Sequence, residues 1–234
     1  MLNRTALNTL RATAIAIALC SAGVAHALTL ADLNSGASFT SLDGSITFQD
    51  FSVSVPATVG SSSNSFAGLD LSLIQVEALP TNGFGFRVIE FDSPLVAVGD
   101  EVGQLVIGFR AVASPAYEIT GANIRFTGTA LGTGAIASVG EAVTSAGGNV
   151  SLNAIRQAGG LQQPTDSADL PAAAASVDVT TTITLDTRGR TAFLAQLSEF
   201  EPGFSARPVP EPGSLVIFGG SMALIVTASR RRWL

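Results

Sequence analysis

The chain has 234 residues, enough for one domain plus processing segments, with 13% charged residues and a formal net charge of −6. All twelve basic residues are Arg and none is Lys, and the stretch Leu28–Pro208 carries seven Arg against seventeen Asp and Glu, a net charge of −10. An acidic body of this kind repels phosphate backbones and argues against nucleic-acid binding.

At the N-terminus, Arg4 and Arg11 form a basic region, and Ala12 to Val24 is an apolar stretch of the length a signal-peptide core needs. Ala25-His26-Ala27 puts small residues at both positions a signal peptidase inspects, so residues 1–27 are expected to be a signal peptide cut after Ala27. The only Cys, Cys20, and the only His, His26, lie in that segment. The body left behind would have neither, which excludes disulfides, thiolate chemistry, a Ser-His-Asp triad and the usual zinc sites. Nothing in the sequence calls for a cofactor.

From 28 to 206 the chain reads as one all-β body, an antiparallel β-sandwich. Ile46 and Phe48, then Phe51, Val53 and Val55, alternate with a change of parity at Gln49-Asp50, which predicts a β-bulge. Leu69, Leu71 and Leu73 alternate, then Ile74, Val76 and Ala78 on the other parity. Phe84, Phe86 and Val88 follow, and Leu105, Ile107, Phe109 and Ala111 make a clean apolar face. Ile119, Ile124 and Phe126 mark a strand or hairpin around Gly121. Ile136 and Val139 to Val143 suggest a further strand, and Val177, Val179, Thr181, Ile183 and Leu185 alternate over nine residues. Turn signals at Asp92-Ser93-Pro94, Gly99-Asp100, Ser114-Pro115 and Gly147-Gly148-Asn149 separate the runs. Arg156 to Ser176 is expected to be a long loop, and Gly128 to Gly134 a β-turn region. Only Ala192 to Phe200 reads as a helix about as well as a strand.

The end, 207–234, has three parts. Val209-Pro210-Glu211-Pro212 is stiff, because proline fixes its own φ and restricts its predecessor. Gly213 to Ser229 is uncharged and mostly apolar, and at 1.5 Å per residue it would span roughly 25 Å as a helix, near the lower limit for a bilayer core. Arg230, Arg231 and Arg232 then read as a transmembrane stop on the cytoplasmic side, which leaves the acidic body on the other side of the membrane.

This ending resembles the PEP-CTERM sorting signal of Gram-negative bacteria, also catalogued as an ice-binding-protein C-terminal motif, in the order of its Pro-Glu-Pro step, short apolar helix and Arg cluster. The resemblance implies an exosortase as processing partner besides signal peptidase, anchoring in the inner membrane by the C-terminal helix, and passage to the cell surface or the exopolysaccharide matrix. It covers about the last 26 residues and implies nothing about ice. More loosely, ADLNSGASFTSLDGSITFQDFSV, GFGFRV and FLAQLSEFEP are similar to bodies of other proteins with this tail.

Candidate chemistry is sparse. Glu90 and Asp92 share a parity at a strand end, and Asp100 and Glu101 flank a turn. Facing carboxylates of this kind serve glycoside hydrolysis, and solvated strand-end charges are the plainer reading. No metal-ligand spacing supports a cation site. The sole Tyr is Tyr117, and the sole Trp, Trp233, lies in the tail, so sugar binding by stacking finds little support while hydrogen bonding by Asp, Asn and Thr stays open. The expectation is an exported, non-enzymatic envelope or matrix protein. The alternatives are a surface carbohydrate-binding module with matrix polysaccharide as partner, and a carboxylate-dependent hydrolase.

Overall fold

The computed structural model describes residues 28–79, 84–90, 95–189 and 193–209. In chain order the elements are β1 (Leu28–Thr29), α1 (Leu30–Asn34), β2 (Phe39–Thr40), β3 (Ile46–Ser54), β4 (Thr58–Val59), β5 (Ser62–Ser63), a 3-10 turn (Leu71–Leu73), β6 (Ile74–Ala78), β7 (Phe84–Glu90), β8 (Leu95–Val98), β9 (Val102–Ala113), β10 (Tyr117–Leu131), β11 (Ile136–Ser145), β12 (Gly148–Gln157), β13 (Gln162–Gln163), β14 (Thr165–Ala174), β15 (Ser176–Asp186) and β16 (Leu194–Pro208). Two large antiparallel sheets result, besides a short β4-β5 pair. The first runs β1-β6-β7-β16-β10-β14, with β8 also paired to β16; the second runs β13-β12-β11-β15-β9-β3-β2. The expected antiparallel β-sandwich is the fold.

Alternating apolar residues build the interface between the sheets. Leu105, Ile107, Phe109 and Ala111 on β9, and Val177, Val179, Ile183 and Leu185 on β15, all face inward and are buried. Phe48 of the second sheet meets Phe86 of the first edge-on at 5.0 Å, and Phe86 meets Phe109 at 5.0 Å. Phe39, Phe51 and Phe204 complete this cluster of rings.

The parity change at Gln49-Asp50 is a bulge. The register of β3 on β9 shifts between Gln49 and Ser52, and Asp50 takes a φ of 56°, so Phe48 and Phe51 both reach the core. A second shift, between Ile119 and Gly121, keeps Ile119 and Ala122 on one face and makes β10 a single strand rather than a hairpin. Of the segment Ala192–Phe200, legible either way, Leu194 to Phe200 form the start of β16, and Ala192 lies outside the described residues.

Three expectations are corrected. The predicted loop Arg156–Ser176 holds the end of β12 and all of β13 and β14. Its prolines misled because β14 pairs with β10 alone, so Pro171 sits on an edge strand, inside a register irregularity between Ala174 and Asp169. Nearer the start of β14, Asn153 N–H donates to Asp166 Oδ2 at 2.8 Å and brings β12 of the second sheet against β14 of the first. The leucines 69, 71 and 73 are not a strand: Asp70 accepts from Ser72 N–H and caps the 3-10 turn. Gly128 to Leu131 is the end of β10 rather than a turn, which begins at Gly132. The short α1 also went unread from periodicity; Thr29 and Asp32 form its capping box and bury Leu30 and Leu33.

Candidate ligand-binding face

The outer face of the first sheet is organised in rows across its strands. In one row Glu77 stands opposite Arg87, and Arg125 lies between Glu201 and Thr165. Glu201 joins the two halves. Its Oε1 lies 3.0 Å from Arg87 Nε and its Oε2 2.8 Å from Arg125 Nε, and its side chain is only 10% exposed. Acid and base therefore alternate over β6, β7, β16 and β10.

Glu199, two residues earlier on the same face, also reaches Arg87, at 3.2 Å. Burial, then a hydrogen bond to Glu201, raises the pKa of Glu199 against the pull of Arg87. Burial pushes Glu201 the same way, but its hydrogen bond with Glu199 and the two guanidiniums outweigh that and lower it. The two carboxyls are therefore pushed in opposite directions, Glu199 up and Glu201 down.

The next row toward the C-terminal end of β16 has almost no side chains on its inner strands. Gly85 pairs with Gly203, Gly203 with Asn123, and Asn123 with Ser167. Beyond it Ser205 pairs with Gly121, and Gly121 with Asp169. A side chain on Gly203 would collide with a polar head, and one on Gly121 would crowd the backbone of Ala168 and the carboxylate beside it. A Cβ on Gly203 would lie 2.6 Å from Asn123 Oδ1, and one on Gly121 3.3 Å from Asp169 Oδ1. Asn123 and Asp169 therefore lie low over glycines of the neighbouring strand. Leu79, 3.2 Å from the equivalent point on Gly85, stands at the β7 side.

The result is an open cleft of about 240 Å³ lined by Ala122, Asn123, Ser167, Ala168, Asp169 and Ser205. Among the described residues the side chains of Asn123, Ser167, Asp169 and Ser205 have no hydrogen-bond partner. A further cavity, between the sheets under Ile74, Val88, Leu95 and Phe200, is apolar and about 10 Å³, too small for a ligand.

The acids named from sequence stand elsewhere. Glu90 ends β7, opposite Ile74, and Asp92 lies outside the described residues. Asp100 and Glu101 belong to the turn between β8 and β9. Asp100 Oδ1 accepts from Gly189 N–H, and Glu101 Oε2 accepts from Val98 N–H at 3.2 Å, so both serve turn geometry. No group of three or more His, Cys, Asp or Glu that could hold a metal occurs among the described residues. Val209 N–H bonds Ala116 O at 2.8 Å. Ala25, Ala27, Pro210, Glu211, Pro212 and Arg230 to Arg232 lie outside the described residues, as does the expected membrane helix. Among the residues that are described, no helix is long and apolar enough to cross a membrane.

Sequence reading missed the cleft. Its one signal was the interleaving of polar residues with glycine and alanine, as in Gly121-Ala122-Asn123 and Ser167-Ala168-Asp169.

The fold and this face define an antiparallel β-sandwich with a polar cleft on one outer surface. No family model matches the sequence, and no curated protein does. Among solved structures the chain is similar to TmCBM61 in complex with β-1,4-galactotriose, at 13% identity and a TM-score of 0.31 over 67% of this chain and 89% of that one. It is also similar to the enzymatically active domain of a bacteriophage CBA120 tailspike protein, at 12% identity and a TM-score of 0.23 over 67% and 19%. A third is the Clostridium thermocellum Xyn10B CBM22-1-GH10 modules complexed with xylohexaose, at 14% identity and a TM-score of 0.20 over 56% and 24%. Likeness at this distance carries no argument about ligand or activity.

Proposed function

We propose that the chain is an exported, non-enzymatic protein of the envelope or extracellular matrix, delivered by its two terminal signals and working through the surface of its β-sandwich. The observation that carries this reading is the order of three parts at the C-terminus: Pro210-Glu211-Pro212, the apolar run Gly213 to Ser229, and Arg230 to Arg232. The segment 1–27, with Ala25 and Ala27 before the cut, supplies the matching export signal. Exosortase and signal peptidase are the processing partners of this reading, and the membrane is a way-station.

The chemistry of the outer face supports a role without catalysis. Glu199 and Glu201 are the acids with opposed proton affinities, the arrangement an acid-base pair needs. Yet Glu201 has an arginine on each oxygen, and the two carboxyls bond one another. Glycosidase carboxyls stand about 5 Å or more apart, with the bond to be cut between them. Here the pair serves to tie β7, β16 and β10 together.

The test is the intact mass and location of the protein in its own host. A surface or matrix species that starts near Leu28 and ends between Pro208 and Gly213 is expected. A cytoplasmic protein with both ends intact would overturn the reading. A membrane species that keeps Trp233 would replace sorting with permanent anchorage.

A further inference from the structure

We propose that the cleft formed by Asn123, Ser167, Asp169 and Ser205 is a binding site for a neutral, hydroxyl-rich ligand, a short run of sugar units within a polysaccharide chain. The argument begins with the unused hydrogen-bonding groups. Asn123 offers both donors and acceptors, Ser167 and Ser205 each offer one of either kind in turn, and Asp169 accepts only. They come from three adjacent strands, β10, β14 and β16, and stand in neighbouring rows. A sugar hydroxyl both donates and accepts, so vicinal hydroxyls match such a mixed set.

Other ligand classes fit less well. An anion would meet Asp169 and a body of net charge −10, with no basic residue lining the cleft. A hard divalent cation wants six or more oxygens and several carboxylates, and the cleft holds one. An apolar ligand would find no aromatic or large aliphatic side chain in the lining. At about 240 Å³ the cleft is smaller than a pocket that encloses a drug-sized molecule, and it is open, so it suits part of a polymer lying across the sheet. The rest of the lining is Ala122 and Ala168, so no bulky side chain keeps a ring from the polar groups.

Few contacts at an exposed site imply weak binding by one copy, and a repeating polymer that meets many copies of the protein compensates through multivalency. The inference rests on the reading that this protein meets polysaccharide outside the cell, but binding is assayed apart from location, so the two fail separately. A protein that binds yet stays in the cytoplasm removes the export reading alone. An exported protein that binds nothing removes the site alone.

The experiment is affinity electrophoresis of the full chain, purified from its own host in the form found there. The gels contain dextran, mannan, xyloglucan, galactan or, as the anionic counterpart, alginate. Retardation by at least one neutral polymer is expected, weakened tenfold or more in Asp169→Asn and in Asn123→Ala. Both sites are exposed, so the variants keep the fold, which circular dichroism verifies. Thr180→Ala, on the second sheet, should bind as the parent does. No retardation in any neutral gel, retardation by alginate alone, or unchanged retardation in both cleft variants would each overturn the site.

Discussion

The hydroxyl of Thr181 donates to Glu141 Oε2 at 3.3 Å, deep between the sheets, and the other oxygen of that carboxyl has no partner. Burial pushes the pKa of Glu141 up to about 8, with the Thr181 bond opposing it. The folded state therefore keeps a proton that the unfolded chain gives up near its ordinary value of 4.5. Stability from this group is fully present below pH 4.5, falls as the pH rises and levels off above 8. The limiting slope is about 1.4 kcal/mol per pH unit. Urea unfolding at pH 5.5 and 7.5 should show the parent losing about 2 kcal/mol more than Glu141→Gln does. Equal losses in the two proteins would refute a protonated Glu141.

Glu201 is the hub of the charge ladder. Glu201→Ala leaves Arg87 and Arg125 facing each other without their shared carboxylate and should cost about 2 kcal/mol, between an exposed and a buried pair. Arg125→Ala, at a side chain 56% exposed, should cost under about 1 kcal/mol. The denaturant midpoints of the two variants check this order, and the reverse order would place the hub elsewhere.

Gly85 and Gly140 make a matched pair of tests. A Cβ on Gly85 would lie 2.4 Å from Pro202 O and 2.8 Å from Gly203 Cα, both backbone atoms that cannot step aside. A Cβ on Gly140 meets nothing nearer than Thr182 O at 4.0 Å. Gly85→Ala should destabilise by about 2 kcal/mol or more by forcing β7 from β16. Gly140→Ala should change stability by less than about 0.5 kcal/mol, or raise it slightly. Thermal unfolding of both separates crowding from the general effect of adding a methyl group.

Phe48 touches four other rings across the two sheets and is fully buried. Phe48→Ala should cost about 3–5 kcal/mol, and Phe48→Leu clearly less. A loss below about 1 kcal/mol, read from chemical denaturation, would mean that the sheets close over the gap.

Period-two alternation made the core of this fold legible wherever one face is apolar and the other wet, as on β9 and β15. The bulge at Asp50 could be read because a slipped parity has a single structural cause. Strand β14 could not be read, since an edge strand tolerates Pro171 and buries little beyond Leu170. The acids named from the chain, Glu90 to Asp92 and Asp100 with Glu101, were chosen for closeness in sequence. The pairing that matters, Arg87 with Glu201, joins residues 114 apart, and no local pattern reports it. The cleft was hidden for the same reason: its four polar side chains come from three strands.

The last strand described, β16, lies in the middle of its sheet, where it bonds β7, β8 and β10 along its length. A chain emerging N-terminus first, from a ribosome or through a membrane pore, therefore has the β6–β7 hairpin and the β10–β14 pair ready but nothing to join them until residues 194–208 arrive. Closure must wait for pairings that span more than a hundred residues, a slow step. Shortening the chain by these fifteen residues would split the sheet into separate pieces instead of trimming an edge. Until β16 arrives, only the second sheet has all its strands, and the first remains in pieces.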